Sequence, residues 1–501
     1  MIRFKVFLDG RPPAELGLAG AYLVGGDGVP LRGELTYSDG ELRCTKRAPG
    51  PAALVLLWPV GGFGRIMLET TRLMEREQPY HLNVELARGR LMRISQKRED
   101  WGLYDFSDGA EFYRRIDEAR GKLVDAVTAS DGAAAARHAD EALAESVAVG
   151  EELGLFHADL ILKRRRNSGG VPKRPFGMTA ALGRADEPYR EKLLFCADFV
   201  TLPVTWRDVE PRKDALRWDP IDLWINWLGK NRLHVRCGPL VALEKSAIPD
   251  WALRLEHSYE RMRDQIVANA ARLVQRFTHR VQSWEVVSGL HAHNPFHFSF
   301  EQLMDLTRTA AMVVKQNAPR STSLITVSVP WGEYYAHDVR SIPPLLYADM
   351  CVQSGFHFDA FGLQIMLGAP VEGMLARDMM QVSSLLDRFG ALGKTIHVSA
   401  ALVPSTPLAG KATDPALQGG GIWHAPWSEQ VQARWVRAFY DIAFSKPFVE
   451  SVNWGQLVDG AGGPLATGGL LHGDLTSKPA HAQLLEFRQM LLSGRPAARR
   501  A

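Results

Sequence analysis

The fold is decided by a stretch that reads FVTLPVTW at 199–206 and DPIDLWINWL at 219–228. The first part is a short run of apolar and β-branched residues, which is typical of a buried strand. The second part begins with Asp219 as a cap and Pro220 in the first helical turn, and its apolar residues then recur at helical spacing. A strand followed in this way by a helix predicts one unit of a parallel sheet.

Strand–helix pairs of this kind recur through the C-terminal two thirds of the chain. Eight apolar runs are each followed by a helical pattern, and they lie at 176–182, 199–206, 233–241, 281–290, 324–331, 358–367, 395–402 and 449–457. Eight units predict a closed (β/α)8 TIM barrel, with an open doubly wound sheet as the alternative. No Gly-x-Gly-x-x-Gly stands between a first strand and a helix, so a dinucleotide-binding sheet gains no support.

The chain before the barrel has a different pattern. In residues 1–105, apolar runs such as 3–8, 53–58, 65–69 and 81–86 alternate with turn signals, which predicts a small β-rich accessory domain. Residues 106–170 predict a helical connector of two helices broken near Ser130-Asp-Gly132, ending in a polar linker at 163–170. The barrel is then expected over 171–495.

Composition excludes several classes of function. The net charge is +3 over 501 residues, which is too weak to indicate a nucleic-acid partner, and no apolar run is long enough to span a bilayer. Four cysteines lie far apart without metal-binding spacing, so buried thiols in a reducing compartment are expected. The chain starts MIRFKVFLDG, where charge interrupts the apolar residues as it does not in a secretory signal, and a cytoplasmic location is predicted.

Several predicted strand ends carry motifs in a recognisable order. The fourth run contains Ser283-Trp-Glu-Val-Val-Ser-Gly289, the sixth Phe358-Asp-Ala-Phe-Gly-Leu-Gln364, the seventh Ile396-His-Val-Ser-Ala400 and the eighth Val452-Asn-Trp-Gly455. Two further segments are Ile248-Pro-Asp-Trp251 and the stretch 470–480 before the last helix. Together they resemble the family 10 glycoside hydrolases, the xylanase family, over about 300 residues in the right order.

This resemblance implies an endo-1,4-β-xylanase fold and, in the family, hydrolysis with retention of configuration. That chemistry needs two carboxyl groups, one as proton donor and one as nucleophile. Carried over from the fourth and seventh strand motifs, the two positions fall on Gly289 and Ala400, which can do neither. The neighbouring sugar-binding positions are also changed, and they fall on Thr201, Leu202, Ser288 and Met366, with the third-strand pair near Ala242 and Leu243.

Other residues remain candidates at the same end of the barrel. Glu333 follows the fifth run and Asp459 the eighth, so these two carboxylates are candidate substitutes for the missing pair. Aromatic rings stack on the apolar faces of sugars. Candidate substrate-binding residues are therefore Gln364, Trp454, Trp331, Trp206 and Trp423, with Tyr334 and Trp427 as further rim aromatics.

No cofactor is expected, and the case for a metal is weak. His291, His293 and His297 follow the fourth run, and His397 lies within the seventh. Three histidines on an irregular loop without a nearby acidic ligand are weak evidence for a metal site, so none is predicted.

Three interpretations stay open. The first is a non-catalytic barrel that binds a β-linked oligosaccharide or polysaccharide, or an unknown protein partner, through its mouth. The second is an active hydrolase of carbohydrate metabolism that uses the substitute carboxylates. The third is a structural scaffold whose mouth is filled by its own loops, for example by 407–421. Resemblance to a fold does not decide among them.

Overall fold

The computed structural model describes residues 1–103, 109–255, 258–408, 419–460 and 462–493. The chain starts with short, mostly antiparallel strands. They are β1 (Ile2–Lys5), β2 (Tyr22–Gly25), β3 (Pro30–Leu31), β4 (Gly33–Ser38), β5 (Glu41–Lys46), β6 (Ala52–Val60), β7 (Gly64–Glu69) and β8 (Tyr80–His81). One sheet has the order β4-β5-β1-β8, and β7-β6-β2-β3 form part of a second. The β-rich start predicted from the sequence is therefore confirmed.

Three long helices follow these strands, α1 (Leu82–Asp100), α2 (Ala110–Thr128) and α3 (Gly132–Asn167). The predicted break between α2 and α3 is confirmed, since the Asp131 side chain caps α3 by accepting from the Ala134 amide at 2.9 Å. The strand expected at 81–86 is wrong, because α1 begins at Leu82. The first turns of α1 are buried on almost every side, so their apolar residues do not show a helical stripe.

Helix α3 also runs further than the sequence indicates. It ends at Asn167, inside the segment 163–170 that was expected to be linker. Lysine and arginine are good helix formers, and cations in a last turn interact favourably with the helix dipole. The basic run therefore extends the helix instead of breaking it.

The centre of the molecule is a closed barrel of eight parallel strands. The strands are β9 (Phe176–Thr179), β10 (Phe199–Pro203), β11 (His234–Gly238), β12 (Ser283–Ser288), β13 (Thr322–Val327), β14 (Ala360–Met366), β15 (Thr395–Leu402) and β17 (Val449–Trp454). They pair in that order, and β17 pairs with β9 to close the ring. Each of the eight predicted runs overlaps one strand, so the TIM-barrel prediction is confirmed.

Helices surround this barrel. They are α4 (Glu187–Cys196), α5 (Trp206–Val209), α6 (Asp219–Lys230), α7 (Asp250–Leu253), α8 (Tyr259–Phe277), α9 (Phe300–Asn317), α10 (Pro344–Gln353), α11 (Met379–Gly390), α12 (Glu429–Ser445) and α13 (Pro479–Ser493). The apolar stripe of α6 packs inward, with Ile221, Trp224, Ile225 and Leu228 all buried. All four cysteines are buried and free. Within the described ranges, no helix has the length and apolar character needed to cross a bilayer.

The N-terminal region is fastened to the barrel by buried polar contacts. Strand β16 (Ile422–Trp423), from the loop after β15, pairs with β7 and joins the second N-terminal sheet. Arg90 of α1 forms a buried ion pair with Asp378 at 2.9 Å. Glu151 of α3 accepts from the Met379 amide at 2.8 Å and from the Trp423 indole at 2.9 Å. These contacts fix the loops that follow β14 and β15, at the carboxyl end of the barrel.

Candidate functional site

In a TIM barrel the carboxyl ends of the strands carry the chemistry, so Gly289 at the end of β12 is the first position of interest. Its φ of +65° lies in the left-handed region, which side chains other than glycine rarely adopt. A Cβ built there would lie 2.6 Å from Ser328 Oγ and 3.0 Å from His293 Cδ2. The backbone and its neighbours therefore both favour glycine, and a glutamate at this position would require Ser328 to move.

The second position that the resemblance implies, Ala400, lies in β15 opposite Gln364 of β14 in the strand register. Gln364 Nε2 donates to Ser288 Oγ at 3.2 Å. Gln364 and Ala400 are half-buried and Ser288 is buried. These three neighbouring residues therefore present an amide, a hydroxyl and a methyl group, none of which is charged.

Below these three residues, the barrel interior contains a chain of polar side chains. Thr201 Oγ1 donates to Asn453 Oδ1 at 2.9 Å, and Asn453 Nδ2 donates to Thr179 Oγ1 at 2.7 Å and to the Ser399 carbonyl at 2.9 Å. Glu285 of β12 is also buried, and burial raises the pKa of its carboxyl. The interior of the barrel at this level is thus polar.

Glu333, the first candidate substitute, is fully buried and is not at an open mouth. It lies in a 3-10 helix, Glu333–Ala336, and pairs with the buried guanidinium of Arg377. Arg377 in turn lies over the Trp331 ring, 4.6 Å from its centroid. The carboxylate is therefore committed to a buried ion pair, and Trp331 is covered on one face.

Asp459, the second candidate substitute, also has a structural partner. It pairs with Lys478 at 2.6 Å, and the lysine side chain is fully buried. Asp459 Oδ1 also accepts from the Gly469 amide at 2.9 Å. These contacts join the loop after β17 to the segment that leads into α13.

The candidate aromatic residues pack inside the protein. Trp206, Trp423 and Trp454 are at most 5% exposed. Their indole N–H groups donate to Glu210 at 3.2 Å, Glu151 at 2.9 Å and the Gly468 carbonyl at 3.0 Å, respectively. Of the further rim aromatics, Trp427 is 3% exposed and Tyr334 donates to the Ile342 carbonyl at 2.7 Å. A ring buried to this extent offers no face on which a sugar can stack.

An open cleft of about 770 Å³ lies among the loops that follow β11, β12 and β13. Its lining includes Glu244, Lys245, His293, His297, His337 and Asp338. His293 Nε2 lies 3.5 Å from a Glu244 carboxylate oxygen, and the same histidine contacts the Gly289 position. Neither Glu244 nor Asp338 lies in a recognisable motif. The only sequence signal for them is an acid in a loop that follows a barrel strand.

The three histidines after β12 have separate environments. His291 is fully buried, its ring stacks on Tyr347 with centroids 5.1 Å apart, and its Nε2 lies 3.0 Å from the Ser328 carbonyl oxygen. Burial lowers the pKa of His291 to about 3. His293 faces Glu244, and His297 is exposed. The part of the chain that the structure describes contains no group of three or more His, Cys, Asp or Glu side chains that could hold a metal ion.

The barrel is similar to solved structures of xylanases. A GH10 structure from Paenibacillus barcinonensis is 17% identical, with 67% of this chain and 98% of that chain covered and a TM-score of 0.50. Native xylanase 10B from Thermotoga maritima is 16% identical over 65% of this chain and 98% of that chain, with a TM-score of 0.49. TsXylA, an intracellular xylanase from Thermoanaerobacterium saccharolyticum, is 12% identical over 62% of this chain and 94% of that chain, with a TM-score of 0.48.

At such low identity, the likeness to the Paenibacillus barcinonensis structure shows a shared barrel fold and nothing about activity. No family model matches the chain. No curated protein matches it either.

Proposed function

We propose that the barrel mouth binds a short β-linked oligosaccharide without hydrolysing it. The observation that carries this proposal is the left-handed backbone at Gly289, where Ser328 Oγ occupies the space that a side chain would need. Retaining hydrolysis requires a proton donor and a nucleophile on either side of the glycosidic bond. Glycine and alanine supply neither, and both Glu333 and Asp459 are held in ion pairs.

Binding is supported by the groups that remain. Gln364 and Ser288 offer an amide and a hydroxyl at the strand ends. The open cleft, which reaches the Gly289 position through His293, is lined with charged and imidazole side chains. Ligand sites commonly have volumes of about 300–1,000 Å³, and this cleft of about 770 Å³ lies in that range. Since the candidate tryptophans are largely buried, the proposed recognition relies on hydrogen bonds to sugar hydroxyls more than on stacking.

Isothermal titration of the full chain with xylotetraose tests binding, and chromatography of the same samples tests hydrolysis. Saturable heat with intact xylotetraose is the expected result. Gln364→Ala is expected to weaken binding about tenfold. Gln353→Ala, an exposed position at the end of α10, is the matched control and leaves binding unchanged. If no heat appears and the sugar stays intact, the scaffold interpretation replaces the binding proposal.

A second candidate function is hydrolysis with substitute carboxylates, and one observation favours it. Glu244 and Asp338 both line the open cleft, from loops on either side of β12. In this case xylotetraose is cleaved, and both Glu244→Gln and Asp338→Asn reduce the rate by two orders of magnitude or more, roughly the contribution of one acid–base group. Intact sugar in the wild-type sample rules this function out for that substrate.

We further propose a reducing, cytoplasmic location. Supporting it, all four cysteines are buried and unpaired, at positions scattered over the N-terminal sheet, the barrel and two of its helices. Free buried thiols are usual where glutathione and thioredoxin keep cysteines reduced.

A further inference from the structure

The amino-terminal end of the barrel, opposite the mouth, contains a cavity of about 530 Å³. We call it the basal cavity. Its lining includes Arg165, Lys173, Arg174, Arg236, His397 and Glu450. Four cations face one carboxylate, so the walls carry a net positive charge at neutral pH. This region plays no part in the proposed function of the mouth.

Arg236 of β11 lies deepest in this arrangement. It is 3% exposed, and its Nη2 donates to His397 Nδ1 at 3.1 Å and to Ser451 Oγ at 3.2 Å. Its Nε and Nη1 have no hydrogen-bond partner among the described residues. Buried N–H groups of a charged side chain are costly to leave unpaired. Arg236 therefore brings a buried and incompletely paired guanidinium to the lining of the cavity.

One buried acid, Glu285, acts on the charge of Arg236 from within the barrel. Burial raises the pKa of the Glu285 carboxyl. Burial lowers the pKa of Arg236 only to about 10, so its guanidinium stays protonated at neutral pH. The structure therefore keeps a charged arginine buried in the barrel.

His397 and Ser451 complete the deep wall as neutral groups. Burial and the Arg236 charge hold the pKa of His397 well below its ordinary value, so the ring is neutral. Its Nδ1 accepts from Arg236 and lies 2.7 Å from Ser451 Oγ, which assigns the ring proton to Nε2. The imidazole thus adds an N–H donor and no competing positive charge.

The outer wall adds more cations than acids. Arg165 donates to the carbonyl oxygens of Gly170, Phe444 and Lys446, so its position is fixed by the backbone. Glu450 is the acid in the described lining, and its charge acts on Arg165. Arg174 is exposed at the rim. The burial of His234 and, after it, the charge of Arg174 lower the pKa of that histidine. Arginine forks suit phosphate oxygens, which accept two parallel N–H donors.

We propose that the basal cavity is a binding site for a phosphate group, either free phosphate or a small phosphate monoester. Arg236 with His397 and Ser451 would form the inner end of the site, and Arg174 and Lys173 the outer end. A dianion matches the surplus of cations over acids in the lining.

The test is isothermal titration of the full chain at constant ionic strength, so that screening of the cations does not change during the titration. Inorganic phosphate, glycerol 3-phosphate and glycerol are the three probes. Saturable binding of either phosphate compound, with a dissociation constant of about 1 mM or tighter, is expected, and glycerol gives no heat. If inorganic phosphate binds and glycerol 3-phosphate does not, the cavity is a site for the free anion. If both bind, it is a site for a phosphate monoester.

Three variants test whether the heat of binding comes from the basal cavity. Arg236→Gln removes the inner charge and is expected to abolish saturation. Arg174→Gln, at the exposed rim, keeps the fold and is expected to weaken binding about fivefold, so the test stands even if the Arg236 variant fails to fold. Arg308→Gln, an exposed arginine on α9, is the control and leaves binding within twofold. Absence of saturable heat in the wild type, or equal binding by the Arg174 and Arg308 variants, overturns the proposal.

Discussion

The two ends of the barrel differ in how their charged side chains are paired. At the mouth, Glu333 and Asp459 are each paired with a buried cation, and two of the strand ends carry Gly289 and Ala400. At the amino-terminal end, Arg236 is buried with two unpaired N–H groups, and the nearby lining carries a surplus of cations. At one end two acids are held in ion pairs with buried cations, and at the other a buried arginine lies in a lining where cations outnumber acids.

This difference shows that the usual location of function in a fold does not indicate where buried polar groups lack a partner. The carboxyl end of a TIM barrel is the usual place for function, and the opposite end usually contributes stability. Here two of the acids at the usual end stabilise loops, while the opposite end combines a cavity with incompletely satisfied donors.

The largest effect is expected from Arg377→Met. The variant leaves the fully buried Glu333 carboxylate without its partner, and breaking a buried pair in this way costs about 3–5 kcal/mol of unfolding free energy. Urea unfolding of the two proteins measures the difference. The double variant Arg377→Met/Glu333→Gln is expected to recover most of the loss, because no unpaired charge remains. Unchanged stability of the single variant would show that Glu333 is free for other roles.

Gly289→Ala is expected to cost about 2–3 kcal/mol, through left-handed strain of about 1–2 kcal/mol and a close contact with Ser328. Gly355→Ala is the matched control, because its φ of +68° is nearly the same and nothing lies within 4 Å of the added Cβ. Urea unfolding of both variants separates strain from crowding. Equal losses of unfolding free energy in the two variants would mean that Ser328 does not crowd the Gly289 position. Ser328 would then not prevent a glutamate from standing there.

Acid is expected to destabilise the protein through its buried neutral histidines. The ordinary pKa is 6.5 and the folded pKa of His291 is about 3, so between these values the unfolded chain binds more protons. The contribution of neutral His291 to the free energy of unfolding is therefore fully present above pH 6.5 and is lost as the pH is lowered. The loss from His291 amounts to about 2 kcal/mol by roughly pH 5. The lowered pKa of His397 at the other end acts in the same direction.

Urea unfolding across this pH range measures the slope. His291→Gln is expected to flatten it, and the exposed His279→Gln is expected to leave it unchanged. A wild-type protein equally stable at both ends of the range, or a slope that survives in the His291 variant, contradicts the prediction.

The smallest effect is expected at the rim of the mouth. Glu244 and His293 are 50% and 39% exposed at a separation of 3.5 Å, so solvent screens their interaction. Glu244→Gln should change the unfolding free energy by less than about 0.5 kcal/mol in urea. A larger loss would mean that this acid, like Glu333, serves the fold, and it would remove Glu244 from the candidates for ligand binding or catalysis.

The sequence predicts the barrel well, because its signals are local. Eight apolar runs mark the strands, and the apolar stripe of α6 marks the helix face that is buried. It predicts α1 poorly, since a helix buried on nearly all sides has no stripe. The partners of Glu333 and Asp459 could not be predicted either. Arg377 and Lys478 reach them through long-range packing, which no spacing of residues encodes. The orphan donors of Arg236 likewise emerge only when the strands close into a ring.

We propose that the mouth has neither a working proton donor nor a nucleophile. Release of dinitrophenolate from 2,4-dinitrophenyl β-xylobioside tests this directly, because this leaving group needs no proton and any competent nucleophile or activated water would suffice. We expect release at the rate of buffer alone. Release at about 1 per second or faster, in the range of working enzymes, would contradict it.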